Sequence, residues 1–386
     1  MPKSNSGLQA DVVEMPDRIL EQTMTLHTFD LAPITISLDA SSGHIAGLTV
    51  SDGERTLTPL HRAPWVDDPA VTFPPDTPLT VQRLSGDFFC APFGRNDVEE
   101  APLHGWPSNS SWEHIGTTQA EKRLQAAFRL SRLVMGATVE KRITLVEGHP
   151  FIYQEHRFIG GAGAVSAAHH VMVHMQEGGE LAFSPKTYAV TPPEALEPDP
   201  ARGRSVLAYP ARTPDLTAFP LANGGTADLT RYPPASSHED FLTLVEQRGR
   251  SLGWSCITRR AETDRVIILK QPQVLPVTML WFSNGGRDYA PWSGRHSGVL
   301  GIEDARASPL GHAASIADND FNRDGVKTAF ALGEAREVVV RQVIGACRVA
   351  PGEGAVRDVT TGANNLTLHF DNAATRTLPF DPAYLG

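Results

Sequence analysis

The chain has 386 residues with 34 Lys+Arg against 44 Asp+Glu, a formal net charge of −10, and 41% hydrophobic residues. That profile fits a globular protein with a sizeable core, and an acidic balance without a Lys/Arg stripe argues against nucleic-acid binding. No apolar run approaches the ~20 residues that cross a bilayer, and the opening MPKSNSGLQADVVEMPDR has no apolar stretch of secretory type, so a cytoplasmic protein with no membrane contact is expected.

In chain order, residues 1–28 read as an N-terminal extension, either a mobile tail or a docking strand, and 29–386 as a single domain, because no linker divides them. Strand signals then dominate. ITISLDA and HIAGLTVSD alternate apolar and polar residues, and RLQAAFRLSRL (123–133) puts Leu124, Ala126, Phe128 and Leu130 on one face at period two. Similar segments follow in ATVEKRITLVEG, PFIYQEHRFIG, SAAHHVMVHMQ, GELAFSP, DFLTLVEQR, LGWSCITRR, RVIILKQP, VTMLWFSN, EVVVRQVIG and NLTLHFDN, bounded by turn residues. The Pro-rich stretch TPPEALEPDPARGRS (191–205) interrupts them and reads as a surface insertion. Convincing amphipathic helices are absent, as is any internal repeat. The expected fold is all-β: a large, mostly antiparallel sandwich. Cys90, Cys256 and Cys347 are odd in number and far apart, which argues against a disulfide framework or a clustered thiolate metal site.

Three clusters combine polar groups, aromatics and turns. FFCAPFGRNDVEEAPLHGWPSNSSWEH (88–114) holds Arg95, Asn96, Asp97, His104, Trp106, Trp112 and His114. AAHHVMVHM (167–175) holds three histidines, and MLWFSNGGRDYAPWSGRHSGVLGIEDA (279–305) holds Trp281, Tyr289, Trp292, Arg295, His296 and Glu303. On a helix, His170 and His174 would share a face and bind one metal ion; on a strand they sit ~13 Å apart, too far for one ion. Val171, Met172 and Val173 favour the strand, so no metal site is assigned, and His169 points opposite to His170. Glu303 closes the short apolar run GVLGIED, where an alternating strand could turn it toward a cleft, although a lone Glu near a strand end is usually solvated. A carboxylate and an imidazole meeting there would form an acid–base pair, although spacing alone does not bring His170 and Glu303 together.

In this order the clusters resemble the aldose 1-epimerase (galactose mutarotase-like) superfamily, in a divergent branch. PLHGWPSNSSW (102–112) resembles that family's LHG segment, FCAPFGRND (89–97) the preceding turn with its substrate-binding Arg, and AAHHVMV (167–173) its His-containing strand. GVLGIED (298–304) resembles the run ending in the catalytic Glu, and FALGEAREVVVRQVIG (330–345) the Gly-Glu turn and final strand. The departures are Trp106 directly after LHG and the absence of a His-x-Tyr-Phe pattern, which leaves the acid role between His169 and His170.

The resemblance implies a β-supersandwich in which Glu303 takes the proton from an anomeric hydroxyl and His170 protonates the ring oxygen, with no cofactor or metal. It further implies that Arg95, His104 and His169 bind substrate hydroxyls and that Trp281, Trp106 or Trp292 stacks on the sugar. The implied partner is a small sugar, free, phosphorylated or acidic, with Arg295 available to an anionic group, and the protein a monomer or homodimer. The alternatives are a non-catalytic carbohydrate-binding protein on the same fold and, ranking lower, a glycan lyase or hydrolase. Glycoside hydrolysis wants two carboxylates across a cleft, and the sequence nominates one.

Overall fold

The alternating segments become strands because each has one face to bury. Leu124, Ala126, Phe128 and Leu130 are the buried positions of the strand Arg123–Leu130, as period two requires. The computed structural model describes residues 25–386, and its named strands pair antiparallel. They build an 11-stranded sheet and a 9-stranded sheet, with a 3-stranded sheet at the C-terminal end and two short ribbons. The longest helix among the described residues has 5 residues, and none is long and apolar enough to cross a membrane.

The two large sheets pack face to face. Phe89, Val171, Leu242, Leu280 and Ile302 from the first meet Phe128, Val139, Ile143, Phe158 and Ile268 from the second in one apolar core. Each such side chain contributes roughly 1.5–3 kcal/mol by leaving water. The outer face of the 9-stranded sheet is covered by the C-terminal strands Val356–Thr361, Asn365–Phe370 and Thr375–Pro379, through Phe151, Trp254, Leu368 and Phe380.

The outer face of the 11-stranded sheet positions the site. Its middle strands run in the order Asp87–Cys90, Ala167–His174, Val299–Arg306, Val277–Asn284 and His238–Glu246. Their outward positions, among them Phe88, Ala168, Met172, Met279, Trp281 and Phe241, form a second apolar cluster.

Two expectations change. The first strand is Leu26–Leu31, paired with Ile34–Asp39, so the extension expected over 1–28 yields its last residues to the sheet, because LHTFDL alternates and buries Phe29. The part of that extension before residue 25 lies outside the described residues. The insertion 191–205 is also more than a surface loop, since its Arg202–Arg204 backbone is bonded to the Gly286–Asp288 segment. All three cysteines are buried and free.

Several imidazoles lie in the apolar layers. His156 stacks on Phe89 with ring centroids 3.8 Å apart, and His61 meets His296 edge-on at 4.8 Å. Burial pushes His61 down to about 3 and holds His156 and His296 well below their ordinary value. These groups are neutral when folded and take protons freely only when unfolded. Their contribution to stability is therefore complete above about pH 6.5 and declines as pH falls. At pH 5.5 each costs about 1.4 kcal/mol. Urea unfolding is expected to show a midpoint nearly constant between pH 7.5 and 7 that drops increasingly from about pH 6.5 to 5.5; a flat profile down to pH 5.5 would contradict this reading of the buried histidines.

Candidate active site

Cross-strand register brings the two expected catalytic groups together. On the antiparallel pair Ala167–His174 and Val299–Arg306, His170 stands directly opposite Glu303. Opposed residues on one sheet face have Cβ atoms ~5 Å apart, so their side-chain tips meet. His170 Nε2 lies 3.1 Å from Glu303 Oε1, and both side chains are almost fully buried. Phe88, across from His170 on the other neighbouring strand, stacks on the imidazole at 4.4 Å, while His104 and Trp281 approach it edge-on at 5.5 and 5.7 Å. Packing, rather than a second carboxylate, fixes the ring: its Nδ1 is buried without a hydrogen-bond partner.

The pair sits in a cleft of about 240 Å³. Its walls are largely apolar, with Val81, Leu84, Phe88, Phe93, Leu103, Leu196, Phe241, Trp281, Trp292 and Pro309. Thr80, Arg95, His104, Arg287, His170 and Glu303 provide the polar groups. Few polar groups converging in an apolar pocket is the usual make-up of a small-molecule site.

His104 occupies a left-handed backbone conformation (φ 66°) in the turn before Gly105, and its Nδ1 accepts the Gly94 N–H at 3.3 Å. Gly105 is required there, because a Cβ would stand 2.0 Å from the Ala91 carbonyl oxygen. Burial, reinforced by His170 and His44, pushes His104 down to about 3. It is therefore a neutral imidazole with Nε2–H as its remaining donor.

Trp281 is held by its indole N–H, which donates to Glu239, and by His296, stacked on it at 5.4 Å. Its ring crosses the cleft floor because the residue opposite is Gly301; a Cβ on Gly301 would lie 3.0 Å from the Trp281 Cβ and 3.3 Å from Glu303 Oε1. Burial pushes the Glu239 carboxyl above its ordinary range, with Arg287 and the Trp281 and Ser283 hydrogen bonds pulling the other way.

Other expected residues are placed differently. His169 is fully buried on the inner face, edge-on to Phe89 and His156, and so belongs to the inter-sheet core rather than to a substrate site. The alternation that aims His170 outward sends its neighbour inward. Arg95 lies at the cleft rim, its side chain 73% exposed, 3.8 Å from Asp97 and bonded to the Leu310 carbonyl. Trp106 packs against the inter-sheet core under Arg132, and Arg295 pairs with Asp68 outside the cleft lining. Trp292 does line the cleft. No group of three or more His, Cys, Asp or Glu among the described residues is arranged to hold a metal ion.

Sequence reasoning missed Arg287. Gly286 lets this segment press against the backbone of His238 and Glu239, where a Cβ would come within 2.3 Å, and so carries Arg287 to the cleft. There Arg287 bridges Glu197 at 3.0 Å and Glu239 at 3.4 Å, with its guanidinium 4.5 Å from the Trp292 ring centre. Glu197 belongs to the 191–205 insertion and also accepts the Tyr289 hydroxyl, which ties that loop over the cleft. The Gly-Gly-Arg sequence at 285–287 marks a close backbone approach, but nothing local reveals what it approaches.

No family model matches the sequence, and no curated protein matches it. Solved structures match in fold. An aldose 1-epimerase candidate from Escherichia coli K12 has a TM-score of 0.56 at 11% identity, over 84% of this chain and 100% of that one. A mutarotase candidate from Salmonella typhimurium has 0.50 at 12% identity, over 84% and 90%. A galactose mutarotase-like protein from Lactobacillus casei ATCC 334 has 0.50 at 8% identity, over 84% and 100%. The chain thus has the galactose mutarotase-like β-sandwich fold that the ordered motifs imply, and at these identities the likeness concerns the fold alone.

The tight contact at Gly301 is testable. Gly301→Ala is expected to cost about 1–3 kcal/mol in urea unfolding, as overpacking of a close-packed site does. A variant as stable as wild type would show that Trp281 and Glu303 are not wedged together there.

Proposed function

We propose that this protein is an aldose 1-epimerase acting on a neutral reducing sugar. The observation that carries the reading is the His170 Nε2–Glu303 Oε1 approach of 3.1 Å inside an apolar cleft. In the proposed cycle the pair starts as imidazolium and carboxylate. Glu303 takes the proton from the anomeric O1 while His170 gives its proton to the ring oxygen; the C1–O5 bond breaks and a C1=O bond forms. Rotation about C1–C2 and reclosure from the other face reverse both transfers, so the pair regains its starting protons. His104, neutral and with one N–H to donate, serves a sugar hydroxyl, and Trp281 and Trp292 offer apolar surface to the C–H face of the ring.

The charges favour a neutral sugar over a phosphorylated or acidic one. Arg287 is taken up by two carboxylates, Arg95 faces Asp97 at the rim, and Glu303 adds a further carboxylate on the floor. An anionic substituent would enter a cleft whose cations are already matched.

Two-dimensional exchange NMR on neutral aldoses, hexose phosphates and uronic acids tests this. At least one neutral aldose is expected to interconvert its anomers well above the uncatalysed rate, with the anionic sugars unaccelerated. Glu303→Gln and His170→Asn are each expected to lose 100-fold or more in kcat, in line with general acid–base catalysis. If no neutral aldose is accelerated the proposal fails, and preferential turnover of a hexose phosphate would overturn the charge argument.

A further inference from the structure

We propose that the cleft continues into a second sugar subsite and that the preferred substrate is a reducing oligosaccharide, an inference that rests on the epimerase reading above. A second cavity, of about 340 Å³, adjoins the first, and the lining residues Tyr188 of the second and Phe241 of the first belong to the cluster on the outer face of the 11-stranded sheet. Pro309 lines both cavities and so lies where they meet. The 191–205 insertion borders both as well, presenting Leu196 to the first and Pro192 and Pro193 to the second. The floor is continuous beneath them: Tyr188, in the second cavity, lies on the strand Lys186–Val190, which pairs with the strand carrying Phe241 of the first. Tyr188 and Phe241 belong to one apolar cluster.

The chemistry of this second cavity suits another pyranose ring. Phe321 and the prolines offer apolar surface, and Arg212, Asp320 and Arg323 supply polar groups in the same lining, while Thr191 and Asn319 are taken up by hydrogen bonds within the protein. Tyr188 is held in place by its hydroxyl, which donates to Asp324 at 2.8 Å, and by Arg212, stacked 3.6 Å over its ring. The basic groups here are matched too: Arg212 pairs with Asp324 at 2.9 Å and Arg323 with Asp318 at 2.8 Å. An uncharged occupant therefore fits both cavities.

Geometry sets its length. Three strand spacings separate the Glu303 strand from the Tyr188 strand, about 14 Å at ~4.8 Å each. A monosaccharide does not cover that span, whereas two or three linked rings do. Because the anomeric hydroxyl must be free at His170 and Glu303, the reducing ring occupies the first cavity and the rest of the chain extends past Pro309 into the second.

The test compares anomeric exchange for glucose and galactose with that for maltose, cellobiose, lactose and maltotriose, in wild type and in Phe321→Ala, with thermal unfolding as a check on folding. In wild type at least one oligosaccharide is expected to have kcat/KM 10-fold or more above its constituent monosaccharide. In Phe321→Ala that advantage is expected to shrink to within about 2-fold, through KM and at unchanged kcat. Equal values for oligosaccharides and monosaccharides in wild type would overturn the proposal, as would a Phe321→Ala loss of equal size on both. If no sugar is exchanged, the epimerase reading fails instead, and titration calorimetry with maltotriose and cellobiose then decides the subsite. Binding weakened by Phe321→Ala supports it, and no binding overturns it.

Discussion

The structure depends on one constraint above others, the antiparallel register that sets position 170 opposite position 303. Register in a sheet with a buried face is strongly specified, because a one-residue slip would turn every side chain of the strand over. Val171, Val173, Leu300 and Ile302 are locked into the inter-sheet core. The apolar residues thereby determine where the polar pair projects. The geometry of the His170–Glu303 pair is thus a consequence of packing on the reverse side of the sheet. Nothing on the cleft side needs to be strong enough to hold the two groups together.

The same economy appears around the cleft. His170 is aimed by rings (Phe88, Trp281 and His104) instead of a hydrogen bond to its second nitrogen. Trp281 is in turn aimed by Glu239 and His296, and Glu239 is shared with Arg287. Arg287 also holds the 191–205 loop through Glu197. A loop with no regular structure is thereby connected, over three side chains, to the ring that flanks the His170 imidazole. Buried polar groups linked in this way cost little only when each is matched, and here the cations are matched by carboxylates.

Much of this was legible in the sequence, and the failures are instructive. Period two identified the strand at 123–130 and the opposite orientations of His169 and His170, because alternation is a local property of the backbone. Assigning His169 to the substrate went wrong by following the resemblance where the alternation already pointed inward. The pairing of His170 with Glu303 was not readable from spacing: it depends on which strands are neighbours, and 132 intervening residues separate the two. Arg287 and Glu239 were missed for a related reason. Each is an ordinary charged residue in a turn or at a strand start, and becomes part of the site only through the close backbone contact that Gly286 permits. The Pro-rich insertion looked like surface because its composition is that of a loop, and composition does not report what a loop covers.

The account stands or falls on whether a sugar settles over the acid–base pair. The most direct measurement is a crystal structure of the Glu303→Gln protein soaked with a reducing sugar. The account predicts a pyranose in the cleft with its ring oxygen ~3 Å from His170 Nε2 and its anomeric oxygen beside position 303. A sugar bound with its anomeric carbon turned away from both residues, or bound elsewhere with the cleft filled by repacked side chains, would contradict it.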